Sequence, residues 1–574
     1  RLGPAAGAAG GGNLFVEDVF STYLYEGNST ARSINNGLDL SGEGGLVWIK
    51  NRTSSGSDDH ALYDTERGVN KYISSNSNAV QNTGNTQGLM TFNNNGFSLG
   101  TDNYWNVNRT GTDIASWSFR KAKGFFDVVT YTGNSTSNRV ISHNLGSVPK
   151  MIIIKNLDVD NRWYFWITGF ALNDYLYLNE NFAKNNYGAY AYLDAAPTST
   201  TVTIDSDTGI NGNNYNYVMY LFGDEAIFGE DGDEQICKMG SFTTDGSGNA
   251  SLQNLGFEPQ WIIAKRTDSA QNWFIIDTAR AMNTVDSACL SPNTSSAEFD
   301  NGAVAYVPKA QGFTVEGGFY GANSTIIYMA IRRPMKVPEA GTEVYSPTAF
   351  TGTGAAVNMS SGFPVDLAIP AKRTGTVYFN FRDRLRGPKE TLQLQTRNAE
   401  YSNASVECQF DRQDGVRSDG TNLDSQYNAN NQTSIIWQFK RAPKFFDMVH
   451  YVGNGSVRTI NHNLKVTPEM IWVKCRDQSG SYWVVYDKTG TATDYLYLDS
   501  TNAQGAFSGY WNNTEPTSTV FTLGTGNGND TNASSQNYIA YLFATLAGVS
   551  KVGSVVHSGT TNVDCGFSAG ARFV

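Results

Sequence analysis

Apolar residues along this chain come in short runs separated by clusters of Asn, Gly, Asp and Ser. That is the signature of strands and turns, and the 3.6-residue periodicity of an amphipathic helix is almost absent. Thr200-Thr201-Val202-Thr203-Ile204-Asp205 alternates polar with apolar, as a half-exposed sandwich strand does. Tyr175-Leu176-Tyr177-Leu178 is apolar throughout, which predicts a strand covered on both faces or set at a boundary between units.

The pattern repeats. Phe125-Phe126-Asp127-Val128-Val129 returns as Phe445-Phe446-Asp447-Met448-Val449, and His143-Asn144-Leu145 as His462-Asn463-Leu464. Tyr175–Leu178 returns as Tyr495–Leu498, and Pro197–Thr200 as Pro516–Thr519. The shared offset is about 320 residues, with almost no slippage. Inside it lies a shorter period of about 100–110 residues, the size of one small β-domain. Each short unit has an apolar strand ending in Lys: Leu46–Lys50, Met151–Lys155, Trp261–Lys265 and Met470–Lys474. An aromatic strand follows (Trp163–Ile167, Trp273–Ile276, Val377–Phe381, Trp483–Tyr486), and a second closes the unit (Tyr217–Phe222, Ile326–Ile331, Tyr538–Phe543). The fourth unit departs from this at Pro370, which puts its strand register in question.

These periods predict an all-β chain of tandem antiparallel β-sandwiches, jelly-roll-like, arranged as two triplets. Residues 1–17 read as a flexible Gly/Ala arm. The units then span 18–123, 124–235, 236–339, 340–443 (like the first) and 444–550 (like the second). Residues 551–574 open a sixth, and the chain is expected to continue beyond Val574. Prolines near the seams, such as Pro334, Pro338 and Pro443, are expected to stiffen them.

Charge narrows the partners. A net charge of −11 argues against nucleic acid and against an anionic membrane surface, since both need clustered basic residues. No apolar run reaches the roughly 20 residues needed to span a bilayer. The five cysteines are scattered singly and odd in number, which fits neither a disulfide framework nor a zinc site.

The stretch Leu14–Lys50, with Val19-Phe20-Ser21-Thr22-Tyr23-Leu24-Tyr25-Glu26-Gly27 and Leu38–Lys50, resembles a family of repeated, tail-fibre-like structural virion proteins. These occur in tailed phages of marine bacteria, cyanophages above all. The resemblance extends through Trp117–Gly133, His143–Lys155 and Phe228–Asp233, and so covers nearly the whole chain. It implies a virion location, a structural role in a fibre or appendage that contributes to host-surface attachment, and no catalytic residues. Partners are then other copies of the chain, with a trimer favoured, other virion proteins and a host-surface glycan.

Candidate chemistry is sparse. His143 and His462 share a repeat position, so each is expected to bond a loop carbonyl rather than to catalyse. His60 follows Asp58-Asp59 in a polar loop without a nucleophile signature. Glu230, Asp231 and Asp233 surround a Gly turn and could take a hard cation such as calcium, although an extended, solvated linker explains them better. Asn103, Tyr104 and Trp105 form the best glycan-binding candidate, because sugars stack on aromatic faces beside amide groups. Tyr510-Trp511 reads instead as scaffold. Rival readings are a glycan-binding adhesin of a bacterial surface and, third, a fibre-borne polysaccharide depolymerase with paired carboxylates.

Overall fold

The computed structural model describes all residues except 1–12, 54–57, 102–106, 187–191, 286, 301–305, 376–377, 403–407 and 419–426. Strands dominate, and the only α-helices among the described residues are the single turns Thr208–Asn211 and Ser508–Trp511.

Five sandwiches follow one plan. In the first, a sheet runs in the order Phe20–Glu26, Asp113–Arg120, Gly45–Asn51, Ala61–Asp64. It faces a three-stranded sheet of Arg32–Asn35, Gly96–Leu99 and Leu89–Asn93. The opening strand of every unit therefore pairs with its closing strand, antiparallel and from end to end. Phe20 lies opposite Phe119, Phe126 opposite Phe222, Cys237 opposite Ile331, Tyr345 opposite Phe439 and Phe446 opposite Phe543. The Lys-ended strand lies on the other side of the closing strand in all five. In the first two units both faces of this strand are buried, which is why it reads as a continuous apolar run.

In the fourth unit Leu367–Lys372 keeps its register against the closing strand straight through Pro370. On the other edge, however, only Leu367 and Ala368 pair with Asn380–Asp383, whereas the equivalent second-unit ladder has five pairs. A proline supplies no N–H to a ladder, so the shortened side is the physical cost of Pro370.

Each sandwich has its own inner core, but the three sheets of the first triplet also share one. A single cluster joins Trp48, Trp117 and Phe119 of the first unit to Trp163 and Phe222 of the second and to Trp261 and Trp273 of the third. Leu176 and Leu178 face this shared core, while Tyr175 and Tyr177 face the inner core of their own unit. The uninterrupted apolar run at 175–178 is thus covered on both faces.

One boundary differs from expectation. Residues 14–17 are not an arm: Val16 is buried, Leu14 O accepts from Gly229 N, and Glu17 accepts from Met335 N. Residues 1–12 lie outside the described residues. Residues 551–574 form no strand and are largely exposed.

Candidate functional site

The polar side chains of the shared core are concentrated at the boundaries between sandwiches. The residue at the head of the strand that follows the Lys-ended strand donates a ring N–H across each boundary. Trp163 Nε1 reaches Ser74 O of the first unit at 3.0 Å, and Trp273 Nε1 reaches Tyr177 O of the second at 2.9 Å. In the first unit His60 takes this position, with Nε2 3.1 Å from Ser291 O of the third. The contacts close on themselves: the second unit donates to the first, the first to the third and the third to the second.

The terminal lysines follow the same cycle. Lys155 Nζ donates to Asn78 O, Lys50 Nζ to Ser295 O and Lys265 Nζ to Asn181 O. All three ammonium groups are buried among carbonyls, and burial pulls each down to about 8.

A third tie was legible in the sequence but not recognised there. An Asp-x-x-Arg motif recurs at Asp64/Arg67, Asp277/Arg280 and Asp383/Arg386. Each pair is buried, with Nε–Oδ2 distances of 2.6, 2.7 and 2.5 Å. Each arginine also caps a strand carbonyl: Leu62 O, Ile275 O and Phe381 O. Each aspartate then accepts from the closing strand of a neighbouring unit. Tyr220 Oη donates to Asp64, Trp117 Nε1 to Asp277 and Tyr541 Oη to Asp383. The second unit has Ile167 and Phe170 in the equivalent places, and the third offers Met329 in place of an aromatic donor; Ile167 and Met329 share the common core. Donor and acceptor are lost together, as a matched boundary requires.

His60 is buried, not in a solvated loop. Its Nδ1 accepts from Trp48 Nε1 at 2.9 Å, so the neutral tautomer carries its proton on Nε2 and donates to Ser291 O. Burial, then the nearby Lys50 ammonium, keeps this imidazole well below its ordinary pKa. His143 and His462 do bond loop carbonyls, Thr198 O and Thr517 O, and their Nδ1 atoms accept from Leu145 N and Leu464 N. The Phe-Phe-Asp carboxylates anchor the same loops, Asp127 through Asn144 N and Asp447 through Asn463 N, both at 2.7 Å.

The predicted ligand residues fare differently. Asn103, Tyr104 and Trp105 lie outside the described residues. Glu230, Asp231 and Asp233 do not gather around a common point. Glu230 pairs with Lys444, and the adjacent Glu234 pairs with Arg332 and Lys465. The acidic loop therefore clamps the two triplets together and is not a free linker. Among the described residues no three His, Cys, Asp or Glu side chains are placed to hold a metal ion. Tyr510 and Trp511 are buried, as a scaffold role requires.

The junction between triplets is ionic where the triplet core is aromatic. Arg441 pairs with Glu258 at 2.8 Å and Arg333 with Asp447 at 3.0 Å, all four nearly buried. A cavity of about 170 Å³ opens nearby between Arg52, Arg280, Arg384, Glu298 and Asp411. Its charges are already paired: Glu298 with Arg52 and Arg280, and Asp411 with Arg52. Burial alone would raise the Glu298 carboxyl, but Arg52 and Arg280 hold it below the usual carboxylate range.

A family model described as a domain of unknown function (DUF7483) matches residues 16–333 and again residues 340–572. The chain belongs to the DUF7483 family. The first DUF7483 match coincides with one whole triplet, and the second begins at the fourth sandwich, so the longer period is the family's unit. Neither the curated proteins nor the solved structures yield a match. No helix among the described residues is long and apolar enough to cross a membrane.

Proposed function

We propose that this chain is a structural component of a virion, forming a fibre or appendage of a tailed phage and contributing to host-surface attachment. The observation that carries this reading is where the polar groups go. His60, the Lys50, Lys155 and Lys265 ammonium groups and the aspartate–arginine pairs are consumed in joining one sandwich to the next. A reaction centre needs such groups aimed at a cavity, whereas a building element needs them at its joints. The resemblance to tail-fibre-like virion proteins supplies the location. Assembly with other copies, a trimer first among the possibilities, belongs to the same proposal, because many weak surface contacts then act with avidity.

Labelling intact particles with an antibody to residues 445–464, followed by electron microscopy, tests it. Discrete label on a fibre or appendage is the expected outcome, and particles that carry none of the chain would sink the idea. Saturable binding to host cells that weakens in Trp105→Ala would assign the attachment step to Asn103, Tyr104 and Trp105. Release of reducing sugar from host polysaccharide would point instead to the depolymerase.

A further inference from the structure

Where the triplets meet, the third sandwich touches the fifth through a cluster of cationic side chains. Lys309 ends the strand Tyr306–Lys309, and its Nζ lies 3.4 Å from Nδ1 of His450 on the opening strand Phe446–Val452. An ammonium group only donates, so this Nδ1 presents a lone pair. The other ring nitrogen, Nε2, lies 3.3 Å from Asn537 Oδ1. Asn537 is oriented by its own amide, whose Nδ2 donates to Asp477 at 3.0 Å, so Nε2 carries the proton. The contact thus admits one neutral tautomer of His450.

The charged groups around the ring offer nothing to a second proton. Lys309 faces it from the third sandwich and Arg476 from its own, and with burial they keep the imidazole well below its ordinary pKa. Arg476 pairs with Glu400 of the fourth sandwich and donates to Thr284 Oγ1 of the third at 3.1 Å. Glu400 is shared with Arg386, and Asp477 is taken up by the Asn537 amide. Glu316 faces only Lys309, whose ammonium burial pulls down against it. Farther along the junction, Asp447 and Glu258 are held by Arg333 and Arg441. Among the described residues no carboxylate pairs with the His450 ring. The first triplet has Thr130 and Leu157 in the places of His450 and Arg476, and Thr130 is exposed. The histidine therefore occurs where a triplet has another triplet to grip.

We propose that His450 is an acid-released latch between the two triplets, holding the third sandwich against the fifth only while its ring is neutral. A second proton would sit on Nδ1 and set donor against donor and cation against cation at the Lys309 contact. Separation frees the ring and returns its ordinary affinity for a proton. Below about pH 6.5 the parted arrangement then binds a proton that the docked one does not, so each further pH unit favours parting by up to about tenfold. The grip is present above that pH and is lost below it. The chain between the triplets, residues 333–340, forms no strand or helix and gives the hinge. Such a latch operates whether or not the chain belongs to a virion.

Small-angle scattering and far-ultraviolet circular dichroism of the full chain, titrated between about pH 7.5 and about pH 5, test it. The radius of gyration is expected to rise reversibly while the strand signal stays constant. His450→Gln keeps an acceptor for Lys309 and a donor for Asn537, and its expansion is expected to move down by about one pH unit or more. A constant radius in the wild type, expansion only with loss of strand signal, or identical curves for the two chains would each overturn the proposal. A second measurement does not depend on the size of the opening. In full chain labelled with nitrogen-15 at histidine, the His450 ring is expected to titrate about one pH unit or more higher in Lys309→Met than in wild type, with His143 unmoved. A His450 titration unchanged by Lys309→Met would also overturn it.

Discussion

The Tyr220 hydroxyl lies 2.7 Å from Asp64 Oδ2, crossing from the second sandwich into the first at the point where Arg67 holds the same carboxylate. The two donors contribute differently. Tyr220→Phe removes the hydrogen bond to Asp64 and a longer one accepted from Arg67 at 3.3 Å but leaves the ion pair intact, so it is expected to cost about 1–2 kcal/mol. Asp64→Ala strands a buried guanidinium and is expected to cost about 3–5 kcal/mol. Urea midpoints of the full-length variants measure both. Equal losses would mean that the carboxylate is not shared in this way.

Acid should loosen the boundaries before it protonates most carboxylates. His60 and His450 sit well below their ordinary pKa, His60 through burial and Lys50, His450 through burial, Lys309 and Arg476. As pH falls through about 6.5, the unfolded chain takes up these protons and the folded chain does not, so stability present above that pH is lost below it. His60→Gln keeps an acceptor for Trp48 and a donor for Ser291 O without a titrating ring. Its unfolding transition in a pH titration is expected to move to lower pH. A transition that stays in place would show that His60 does not drive it.

At alkaline pH the lysines act with the same sign and the tyrosines with the opposite one. Lys50, Lys155 and Lys265 are held near 8 by burial, against about 10.4 when unfolded. Between those values the unfolded chain binds more protons, so stability rises with pH, by about 1 kcal/mol or more per lysine. Buried tyrosines such as Tyr131 and Tyr220 are pushed well above their ordinary value by desolvation. Their ionisation in the unfolded chain makes stability fall above about pH 10. Thermal melting from pH 7 to 11 is expected to peak between these limits. Lys155→Met should flatten the rising limb.

The ionic junction should resist salt. Arg441 and Glu258 are both nearly buried, so screening reaches them weakly, unlike the exposed Lys444–Glu230 pair. Arg441→Ala is expected to cost about 3 kcal/mol, because Glu258 is left with only its longer pair to Arg333, at 3.4 Å. Raising sodium chloride to 1 M should change the wild-type melting temperature by far less than this substitution does.

Strand positions were largely legible because each strand carries its own apolar run between turn residues. Trp163–Ile167 and the Lys-ended strands fall where the pattern places them. His143 and His462 were readable as loop braces because they recur at a structural period. The joining of three sandwiches around one core was not readable. The apolar faces of Met151 and Trp261 look alike whether they meet a second sheet or a neighbouring unit. The Asp-x-x-Arg recurrence was on view, but its meaning depends on donors such as Trp117, which lies 160 residues from Asp277. Pro370 warned of a disturbed register, yet the ladder to the closing strand holds and only the outer edge shortens. The sequence Asn103–Trp105 has no counterpart in the other units, so repetition offered no guide to it.

The side-by-side pairing of first and last strands has a mechanical consequence. Where Phe20 lies against Phe119 and Phe446 against Phe543, the chain enters and leaves a sandwich at the same corner. Each sandwich hangs like a petal from a narrow stalk and adds girth to its triplet without adding reach. Tension applied through the backbone would peel those two strands apart one rung at a time instead of sliding them past each other along their length. Resistance to stretching in such an assembly must then come from the grip between petals, where Trp163 and Trp273 hold their neighbours, and not from the stalks.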